Sequence, residues 1–282
     1  MITNLKIGYG GRLGNQMFQY AMLLGVASKN NYQVLLPKKN SENIKEDGCL
    51  DISTGKWIQY RFLLNECFDM PTLSWMPVDQ EKNIVNFSKE QFFHFDESIF
   101  NSKDFTSFDG YYQSYKYFNH ILADIKREFV FKENIRTEAE KTINSISKGY
   151  DEIIAIHVRR GDYLGIPDVL PVCESEYYEV AMSLFCDKKY KWAVFSDDIQ
   201  WCKESFGEDD SIYYSEGKNL YEDMCTMALC HHQIIANSTF SWWAAFLNTH
   251  TNKGIVAPHS WFGKTLINND IKDLILPEWC KL

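Results

Sequence analysis

The feature that most constrains this sequence is a short apolar run that passes directly into charged residues, IIAIHVRRGDY at 153–163. An apolar run rich in β-branched residues is typical of a buried strand in a parallel sheet. Four ionisable side chains follow, those of His157, Arg159, Arg160 and Asp162. They lie at the carboxyl end of the predicted strand, which is where open α/β sheets bind their ligands.

The two arginines of this stretch predict an anion site. Because side chains alternate along a strand, Arg159 and Arg160 point to opposite sides, so one guanidinium faces the ligand crevice and the other supports it. A guanidinium offers a planar, permanently charged fork that matches two phosphate oxygens. The alternative is a purely structural Arg–Asp pair that closes the strand end. The density of charge just after a buried strand favours a phosphate site.

The composition excludes several classes of partner. The chain has 45% apolar and 24% charged residues, as a globular protein of one or two domains has. Its net charge of −9 disfavours nucleic acid as a partner, although a small anionic ligand remains compatible with local arginines.

The sequence shows no run of 18 uncharged apolar residues, no signal-peptide pattern and no CxxC pair among eight cysteines. We therefore expect reduced thiols and a cytoplasmic location.

The N-terminal stretch predicts a strand at 5–9, a glycine-rich turn at 10–16, a helix to about residue 29 and a second strand at 33–36. A helix N-terminus after such a turn favours anions. A dinucleotide-binding turn is only weakly indicated, because Gly8, Gly10 and Gly14 have GxGxxxG spacing and no acidic residue ends the second strand. The turn carries polar side chains that can bind a phosphate or a sugar, those of Arg12, Asn15 and Gln16. A tight turn with a helix cap explains the same residues, and both interpretations stay open.

The remaining pattern predicts two α/β domains. Acceptor-binding loops are expected in the aromatic-rich region 38–110, followed by a helical linker at about 114–147. After residue 150 we predict strands at 153–158, 192–195, 211–214, 233–236 and 254–257 and helices at about 175–186, 219–230 and 241–249. Alternating elements of this length indicate parallel βα units. We expect two facing doubly wound, Rossmann-like domains, 1–148 and 149–282, with the active site in the cleft between them.

Polar side chains follow two further predicted strands. Ser196, Asp197 and Asp198 come after one strand, and Asn237, Ser238, Thr239 and Ser241 lie at a strand-to-helix turn. Hydroxyls and amides at a helix N-terminus can hold phosphate oxygens, although the same residues also serve as a helix cap. We do not expect Asp197 and Asp198 to bind a metal as a pair, because adjacent carboxylates on an extended chain point apart. No Asp-x-Asp occurs. A zinc site is not expected either, because the pattern is that of a helix followed by a strand at Cys225, Cys230, His231 and His232. We expect no metal, with arginines and helix N-termini neutralising the phosphates.

Together these features predict a nucleotide-sugar transferase. Groups that hold phosphate occur without the GxxxxGK[ST] sequence of a P-loop and without a metal pair. The leaving group would be a nucleoside diphosphate, whose developing charge Arg159 would stabilise.

Four motifs in this order, GGRLGNQMFQYA, HVRRGDY, FSDD and ANSTFSWWAAF, resemble glycosyltransferase family 11, the bacterial-type α-1,2-fucosyltransferases. The resemblance spans residues 7 to about 262. It implies a GT-B fold, GDP-β-L-fucose as donor, no required metal or other cofactor, and inversion at the anomeric carbon. The implied acceptor is a β-galactoside whose 2-hydroxyl is fucosylated, within an O-antigen or capsular repeat. Lipid linkage of that acceptor is left open, and contact with the inner membrane is expected to be peripheral at most.

The resemblance also implies roles for residues. Arg159 contacts the donor diphosphate and His157 the nucleoside side, while the GRLGNQ turn, chiefly Asn15, closes on the phosphates from the other domain. The segment that also holds the phosphates comprises Thr239, Phe240 and Ser241. Glu222 and Asp223 stand at about the distance of a guanine-reading acid.

The group that accepts the acceptor's proton is left open. Asp162 is the first choice by position, followed by Asp168 and His157. Asp162 serves equally well as the ion-pair partner that orients an arginine. A dissociative path with late deprotonation would need no strong base.

Three other functions fit parts of the sequence. A related transferase could use another GDP-sugar, such as GDP-mannose. A glycoside hydrolase is suggested by the many carboxylates and aromatics, but it needs two facing carboxylates and no phosphate site. A non-catalytic binding protein would bind GDP without turning over GDP-fucose.

Overall fold

The computed structural model describes residues 1–9, 11–38, 48–51, 56–59 and 61–282. The chain forms two compact units. Unit 1 comprises residues 1–130 and 270–274, and unit 2 comprises 131–269 and 275–282. Of the region expected to read the acceptor, residues 39–47, 52–55 and 60 lie outside the described part, as does Gly10 of the glycine-rich turn.

Unit 1 is built on short parallel strands and one long helix. Its strands are β1 (Ile2–Thr3), β2 (Leu36–Pro37), β3 (Gly48–Asp51), β4 (Lys56–Gln59), β5 (Trp75–Met76), β6 (Asn86–Lys89) and β7 (Thr106–Asp109). Its helices are α1 (Leu13–Asn30), α2 (Leu64–Cys67) and α3 (Leu122–Glu128). Strands β1, β7 and β6 form a parallel sheet in that order, β2 pairs with β5 in parallel, and β3 pairs with β4 antiparallel.

The predicted first helix is confirmed, but the predicted first strand at 5–9 is wrong. Strand β1 ends at Thr3, and the chain forms a turn at residues 5–8, where a strand was predicted. The side chain of Asn4 accepts the amide of Lys6 at 2.9 Å, a local hydrogen bond that starts a turn in place of a strand. Gly8 then takes a positive φ of 89°, which continues the turn towards α1.

Of the helical linker predicted at about 114–147, the part before residue 122 is not α-helical. The chain forms short 3₁₀ turns over Tyr115–Tyr117 and Asn119–Ile121 before α3 begins. Gly25 of α1 packs on this segment so closely that a Cβ there would lie 1.9 Å from the Tyr117 carbonyl oxygen. Among the described residues, no helix has both the length and the hydropathy needed to cross a membrane.

Unit 2 is a regular alternation of strands and helices. Its strands are β8 (Glu152–Val158), β9 (Tyr190–Ser196), β10 (Ile212–Tyr214), β11 (His232–Ile234), β12 (Ile255–Ala257) and β13 (Cys280–Lys281). Its helices are α4 (Glu133–Ile146), α5 (Ser175–Ser183), α6 (Ile199–Phe206), α7 (Leu220–Leu229) and α8 (Thr239–Leu247). The strands and helices predicted after residue 150 are confirmed to within a few residues, and α6 and β13 are additional.

All six strands of unit 2 are parallel and lie in the order β10-β9-β8-β11-β12-β13. The chain starts at the centre with β8, moves to one edge through β9 and β10, and returns to the other side of β8 as β11. This is the doubly wound order, and it creates a topological switch point between β8 and β11. The predicted α/β fold with a parallel sheet is confirmed in this unit.

The core of unit 2 explains why β8 is an uninterrupted apolar run. Ile154 and Ile156 are fully buried in one cluster with Val194 of β9, Ile234 of β11 and Val256 of β12. Burying each aliphatic side chain stabilises the fold by about 2 kcal/mol. Strand β8 is central in the sheet, so both of its faces are covered.

The division of the chain differs from the predicted boundary at 148. Helix α4 belongs to unit 2, because Ile135 and Ala139 on its apolar face pack with Cys225 of α7. The segment 270–274 belongs to unit 1 although unit 2 precedes and follows it. Within unit 1 the Asp273 carboxylate accepts the Phe95 amide at 3.2 Å and pairs with the Lys116 ammonium.

Candidate active site

The switch point of unit 2 gathers most of the predicted site residues. Strand β8 pairs with β9 up to Val158 and Ser196, and with β11 up to Ile156 and Ile234. The segments that follow these strands therefore leave the same edge of the sheet side by side. They contain Arg159 to Asp162, Asp197 and Asp198, and Asn237 to Ser241.

Arg159 is held by two carboxylates. Its Nη1 lies 2.6 Å from Oδ2 of Asp197, its Nη2 pairs with Asp162, and its guanidinium carbon lies 5.3 Å from the centre of the Tyr163 ring. The side chain is only 15% exposed. A guanidinium carries five N–H donors, so an orientation fixed by two carboxylates leaves donors for an anionic ligand.

Arg160 points away from Arg159, as the alternation of side chains predicts. Its Nε donates to Oδ2 of Asp198 at 3.1 Å, and its guanidinium carbon lies 4.1 Å from the centre of the Trp201 ring. Asp198 also accepts the Trp201 amide at 3.2 Å and so caps α6. The neighbouring carboxylates of Asp197 and Asp198 point apart, which was also predicted.

Besides pairing with Arg159, Asp197 fixes the backbone of the turn after β8. Its Oδ1 accepts the amides of Arg160 and Gly161 at 2.9 and 3.2 Å. A Cβ on Gly161 would lie 2.6 Å from Asp197 Oδ2, so this approach requires glycine. The glycine of the RRGD sequence is therefore explained by the position of a carboxylate on the neighbouring strand.

His157 is a buried, neutral ring beside the arginine. Only 6% of it is exposed, and burial, with the nearby Arg159 charge, lowers its pKa to about 3. Its Nδ1 has no hydrogen-bond partner among the described residues. The centre of its ring lies 5.5 Å from that of Phe240 at the start of α8. An orphaned polar atom beside an aromatic ring is consistent with the predicted contact to a nucleoside.

The predicted site residues in the turn between β11 and α8 are of two kinds. Some bond to other parts of the protein, and others are partly exposed to solvent. The Asn237 amide donates to the carbonyls of Pro171 and Trp261 at 2.9 and 3.0 Å, so it ties two loops together. Ser238 caps α8 by accepting the Phe240 amide at 3.3 Å, and the Ser241 hydroxyl donates to backbone carbonyls while fully buried. Thr239 and Phe240 are half-buried at the first turn of α8, where a helix favours anions.

Three further predicted donor contacts lie on the β9 and β10 side of the sheet. The Ser196 hydroxyl accepts the Asp198 amide at 2.9 Å. Asp223 accepts the Ser215 hydroxyl at 2.6 Å just beyond β10, and burial raises its pKa to about 6. Glu222 accepts the side-chain amide of Asn219, the N-cap of α7, at 2.7 Å. The two acids thus stand at the start of α7, next to the carboxyl end of β10.

In unit 1, the three polar residues of the glycine-rich turn are placed differently from one another. Arg12 is the N-cap residue of α1 without a side-chain capping hydrogen bond. Asn15 Oδ1 accepts the Gln113 side-chain amide at 3.0 Å. Gln16 is buried and bonds to backbone atoms of the segment 61–63, through Oε1 at 2.9 Å and Nε2 at 2.8 Å. Gly14 lies within the helix, which further weakens the dinucleotide interpretation.

The geometry bears on each candidate proton acceptor. Asp162 pairs with Arg159, and Asp168 pairs with Lys264 at 2.9 Å. His157 is buried, and its low pKa makes it a weak base. The direct contact between Asp162 and Arg159 therefore favours the interpretation that Asp162 orients the arginine. Within the described ranges, no three His, Cys, Asp or Glu side chains are grouped so that they could hold a metal ion.

Tyr163 is a site residue that sequence reasoning missed. Its ring lies beside the Arg159 guanidinium, and its hydroxyl donates to the Asn237 carbonyl at 3.2 Å. It thus connects the turn after β8 to the turn after β11. The signal was present, since an aromatic residue directly follows the RRGD sequence and arginines often lie against aromatic rings.

Known proteins resemble this chain over most of its length. The model of glycosyl transferase family 11 matches residues 69–282. An α-1,2-colitosyltransferase of Escherichia coli is 28% identical over 275 residues, covering 92% of each chain. A galactoside α-(1,2)-fucosyltransferase 1 of Rattus norvegicus is 26% identical over 291 residues, covering 96% of this chain and 70% of the relative.

The fold has relatives among solved structures. The NodZ α-1,6-fucosyltransferase, in crystals soaked with GDP-fucose, superposes with a TM-score of 0.51 at 14% identity, covering 87% of this chain and 92% of that one. This likeness concerns the fold and confirms the predicted GT-B-like α/β architecture. The family match covers most of the chain, including every segment of the switch point. The protein is therefore a glycosyltransferase, and it belongs to glycosyltransferase family 11.

Proposed function

We propose that this protein transfers L-fucose from GDP-β-L-fucose to the 2-hydroxyl of a galactoside, with inversion at the anomeric carbon and without a metal ion. The observation that carries the proposal is the guanidinium of Arg159, fixed by Asp197 and Asp162 at the switch point of unit 2. The names of the family's relatives, α-1,2-fucosyl- and α-1,2-colitosyltransferases, support the linkage.

The donor's diphosphate binds where positive charge converges. Arg159 supplies a fixed guanidinium, and the first turn of α8 supplies backbone amides and the Thr239 hydroxyl. The guanine base lies towards His157 and Phe240, whose rings stand close together. Glu222 and Asp223 are the acids that can accept the guanine N1–H and N2–H₂ groups.

The reaction is a single displacement. The acceptor's O2 forms a bond to the anomeric carbon on the face opposite the leaving GDP. The bond from that carbon to the phosphate oxygen breaks, and its electron pair stays on the diphosphate. Arg159 stabilises this developing charge more in the transition state than in the ground state. The proton of the acceptor hydroxyl is lost late, after the new glycosidic bond has largely formed, to the departing diphosphate or to solvent water.

Asp162 orients Arg159 in this mechanism and does not take the acceptor's proton. The carboxylate is already paired with the guanidinium. A dissociative transition state, with late loss of the proton, is compatible with this arrangement.

A second donor deserves a direct test, because the Escherichia coli relative is named a colitosyltransferase. We would measure transfer from GDP-fucose in competition with GDP-colitose and with GDP-mannose. Preference for GDP-fucose by at least 10-fold in kcat/KM supports the proposed donor. A preference for either competitor would contradict it while leaving the family and the phosphate site unchanged.

The decisive experiment measures GDP release from GDP-fucose with lactose as acceptor, in the presence of EDTA. We expect release that depends on lactose, with linkage analysis showing fucose on O2 of galactose. Loss of release on adding EDTA would contradict the metal-free mechanism. GDP binding without release, over a series of galactosides, would contradict the proposed transfer. A galactoside in an O-antigen or capsular repeat, lipid-linked or free, remains the predicted natural acceptor.

A further inference from the structure

A strained turn at the carboxyl end of β7 directs one aromatic ring outward. Gly110 and Tyr112 have φ values of 155° and 54°, and a positive φ is unusual for a residue with a side chain. Tyr112 is completely buried, whereas Tyr111 keeps 40% of its surface exposed. Strained backbone persists only where surrounding contacts hold it, and it is concentrated at functional sites.

Contacts from α1 and from the turn before it hold the strained segment in place. The side-chain amide of Gln19 donates to the Gly110 carbonyl at 2.9 Å. A Cβ on Gly11 would lie 2.9 Å from Cε1 of Tyr111, so the ring rests directly on a glycine of the predicted ligand-binding turn. The exposed ring is therefore held in one orientation before any ligand binds, which reduces the entropy lost on binding.

A carboxylate binds the backbone that carries this ring. Glu90 follows β6, and its Oε2 and Oε1 accept the amides of Tyr111 and Tyr112, both at 2.8 Å. A Cβ on Gly110 would lie 2.6 Å from Oε2 of Glu90, so the missing side chain makes this approach possible. The carboxylate is half-buried, and each of its oxygens has a second lone pair for another donor.

The environment makes Glu90 a good hydrogen-bond acceptor. Burial raises its pKa to about 7, while the two amide hydrogen bonds oppose the rise and the Asp109 charge adds to it. Lys6 pairs with Asp109 at 2.6 Å and not with Glu90. Above its pKa the Glu90 carboxyl group is ionised, and it can then accept a hydrogen bond from a hydroxyl group.

We propose that Tyr111 and Glu90 form a sugar-binding subsite of unit 1 for the galactoside acceptor. The apolar face of the sugar ring lies on Tyr111, and a sugar hydroxyl donates to the Glu90 carboxylate. A rigid aromatic surface with one well-placed polar group is the usual composition of a small-molecule site. The pair also lies at the carboxyl end of a parallel sheet, the usual position for a ligand. The inference rests on the proposed function, since that function supplies the galactoside.

The test measures binding of lactose in the absence of a donor, by saturation-transfer NMR and titration. We expect Tyr111→Ala and Glu90→Gln each to weaken lactose binding by about 10-fold or more. The matched controls are Phe105→Ala and Glu97→Gln. Phe105 is 39% exposed but precedes β7, at the opposite end of the strand from Tyr111, and Glu97 is an exposed acid of the same unit. GDP affinity should be unchanged in all four variants.

The possible outcomes separate this inference from the proposed function. Lactose binding that is equal in Tyr111→Ala and wild type, or absent from the wild type, would overturn the subsite. Failure to transfer fucose, with lactose still bound through Tyr111, would contradict the proposed function alone. If Glu90→Gln lowers the unfolding midpoint, Tyr111→Ala still decides the question, because alanine keeps the backbone amide that Glu90 binds.

Discussion

The carboxylate of Asp197 holds both the guanidinium of Arg159 and the backbone that carries it. One oxygen lies 2.6 Å from Arg159 Nη1, and the other accepts the amides of Arg160 and Gly161. The side chains of the pair are 15% and 27% exposed, so the interaction is less screened than a surface ion pair. Since a residue after β9 fixes a residue after β8, the sheet sets the geometry of the site before a ligand binds.

Replacing Arg159 by lysine should lower the rate of fucosyl transfer by about 100-fold. Lysine keeps the charge but loses the planar fork that binds two phosphate oxygens, and losing one stabilising donor typically costs 10²–10³ in kcat. The measurement is steady-state GDP release with lactose. Arg136→Lys is the control, because Arg136 pairs with Glu140 on the exposed face of α4. Wild-type rates in Arg159→Lys would show that the site lies elsewhere.

Asp197→Asn and Asp162→Asn should differ in their effect on GDP affinity. Asp197 holds both the guanidinium and the turn, so we expect its replacement to weaken GDP binding by about 10- to 100-fold. Asp162 is 48% exposed, so water screens its ion pair with Arg159, and its replacement should cost at most about 5-fold. Calorimetric titration with GDP gives both values.

The Asp162→Asn variant also distinguishes the two roles considered for Asp162, orienting Arg159 and accepting the proton. If it only orients Arg159, turnover and GDP affinity should fall together and slightly in Asp162→Asn. A large loss of turnover with unchanged GDP affinity would instead identify Asp162 as the proton acceptor and contradict the mechanism proposed above.

The sequence predicted those parts of the fold in which local pattern and tertiary position agree. The apolar run at 153–158 forms the central strand β8, which is buried in the core of unit 2. The charged residues that follow it lie at the carboxyl end of this strand, where a parallel sheet binds its ligand. Asp197 and Asp198 point apart, as the alternation of an extended chain requires. These predictions needed no knowledge of distant contacts.

Other features depended on contacts that no local pattern shows. Asn237 was predicted as a phosphate contact, but its amide bonds to the Pro171 and Trp261 carbonyls, which lie far away in the sequence. Gln16 similarly bonds to a segment some forty-five residues later. The strand predicted at 5–9 was lost to the local hydrogen bonds of a turn, among them the one between Asn4 and Lys6. A polar residue near a strand end can bind a ligand or a loop, and only the structure decides which.

Gly25→Ala should destabilise the protein by about 2–4 kcal/mol. Alanine is normally favoured over glycine within a helix by about 1 kcal/mol. At this position the added Cβ would lie 1.9 Å from the Tyr117 carbonyl oxygen, so the backbone must move, and such overpacking outweighs the gain. Urea unfolding gives the difference. Gly165→Ala is the control, since no atom lies within 4 Å of its added Cβ, and a similar loss there would contradict the packing argument.

Acidification should destabilise the wild type more than a His157→Gln variant. The folded protein holds the pKa of His157 near 3 through burial, while the unfolded chain has an ordinary value of about 6.5. Below pH 6.5 the unfolded state therefore binds more protons than the folded state. The stability contributed by the neutral ring is complete above pH 6.5 and is lost as the pH falls towards 3. At pH 5 the linked loss is about 2 kcal/mol. We would measure free energies of unfolding by urea at pH 7.5 and pH 5 for both proteins, so that other titrating groups cancel in the comparison. An equal loss in the two proteins would mean that His157 is protonated in the folded state as readily as in the unfolded chain, and the ring could not then be the buried, neutral neighbour of Arg159.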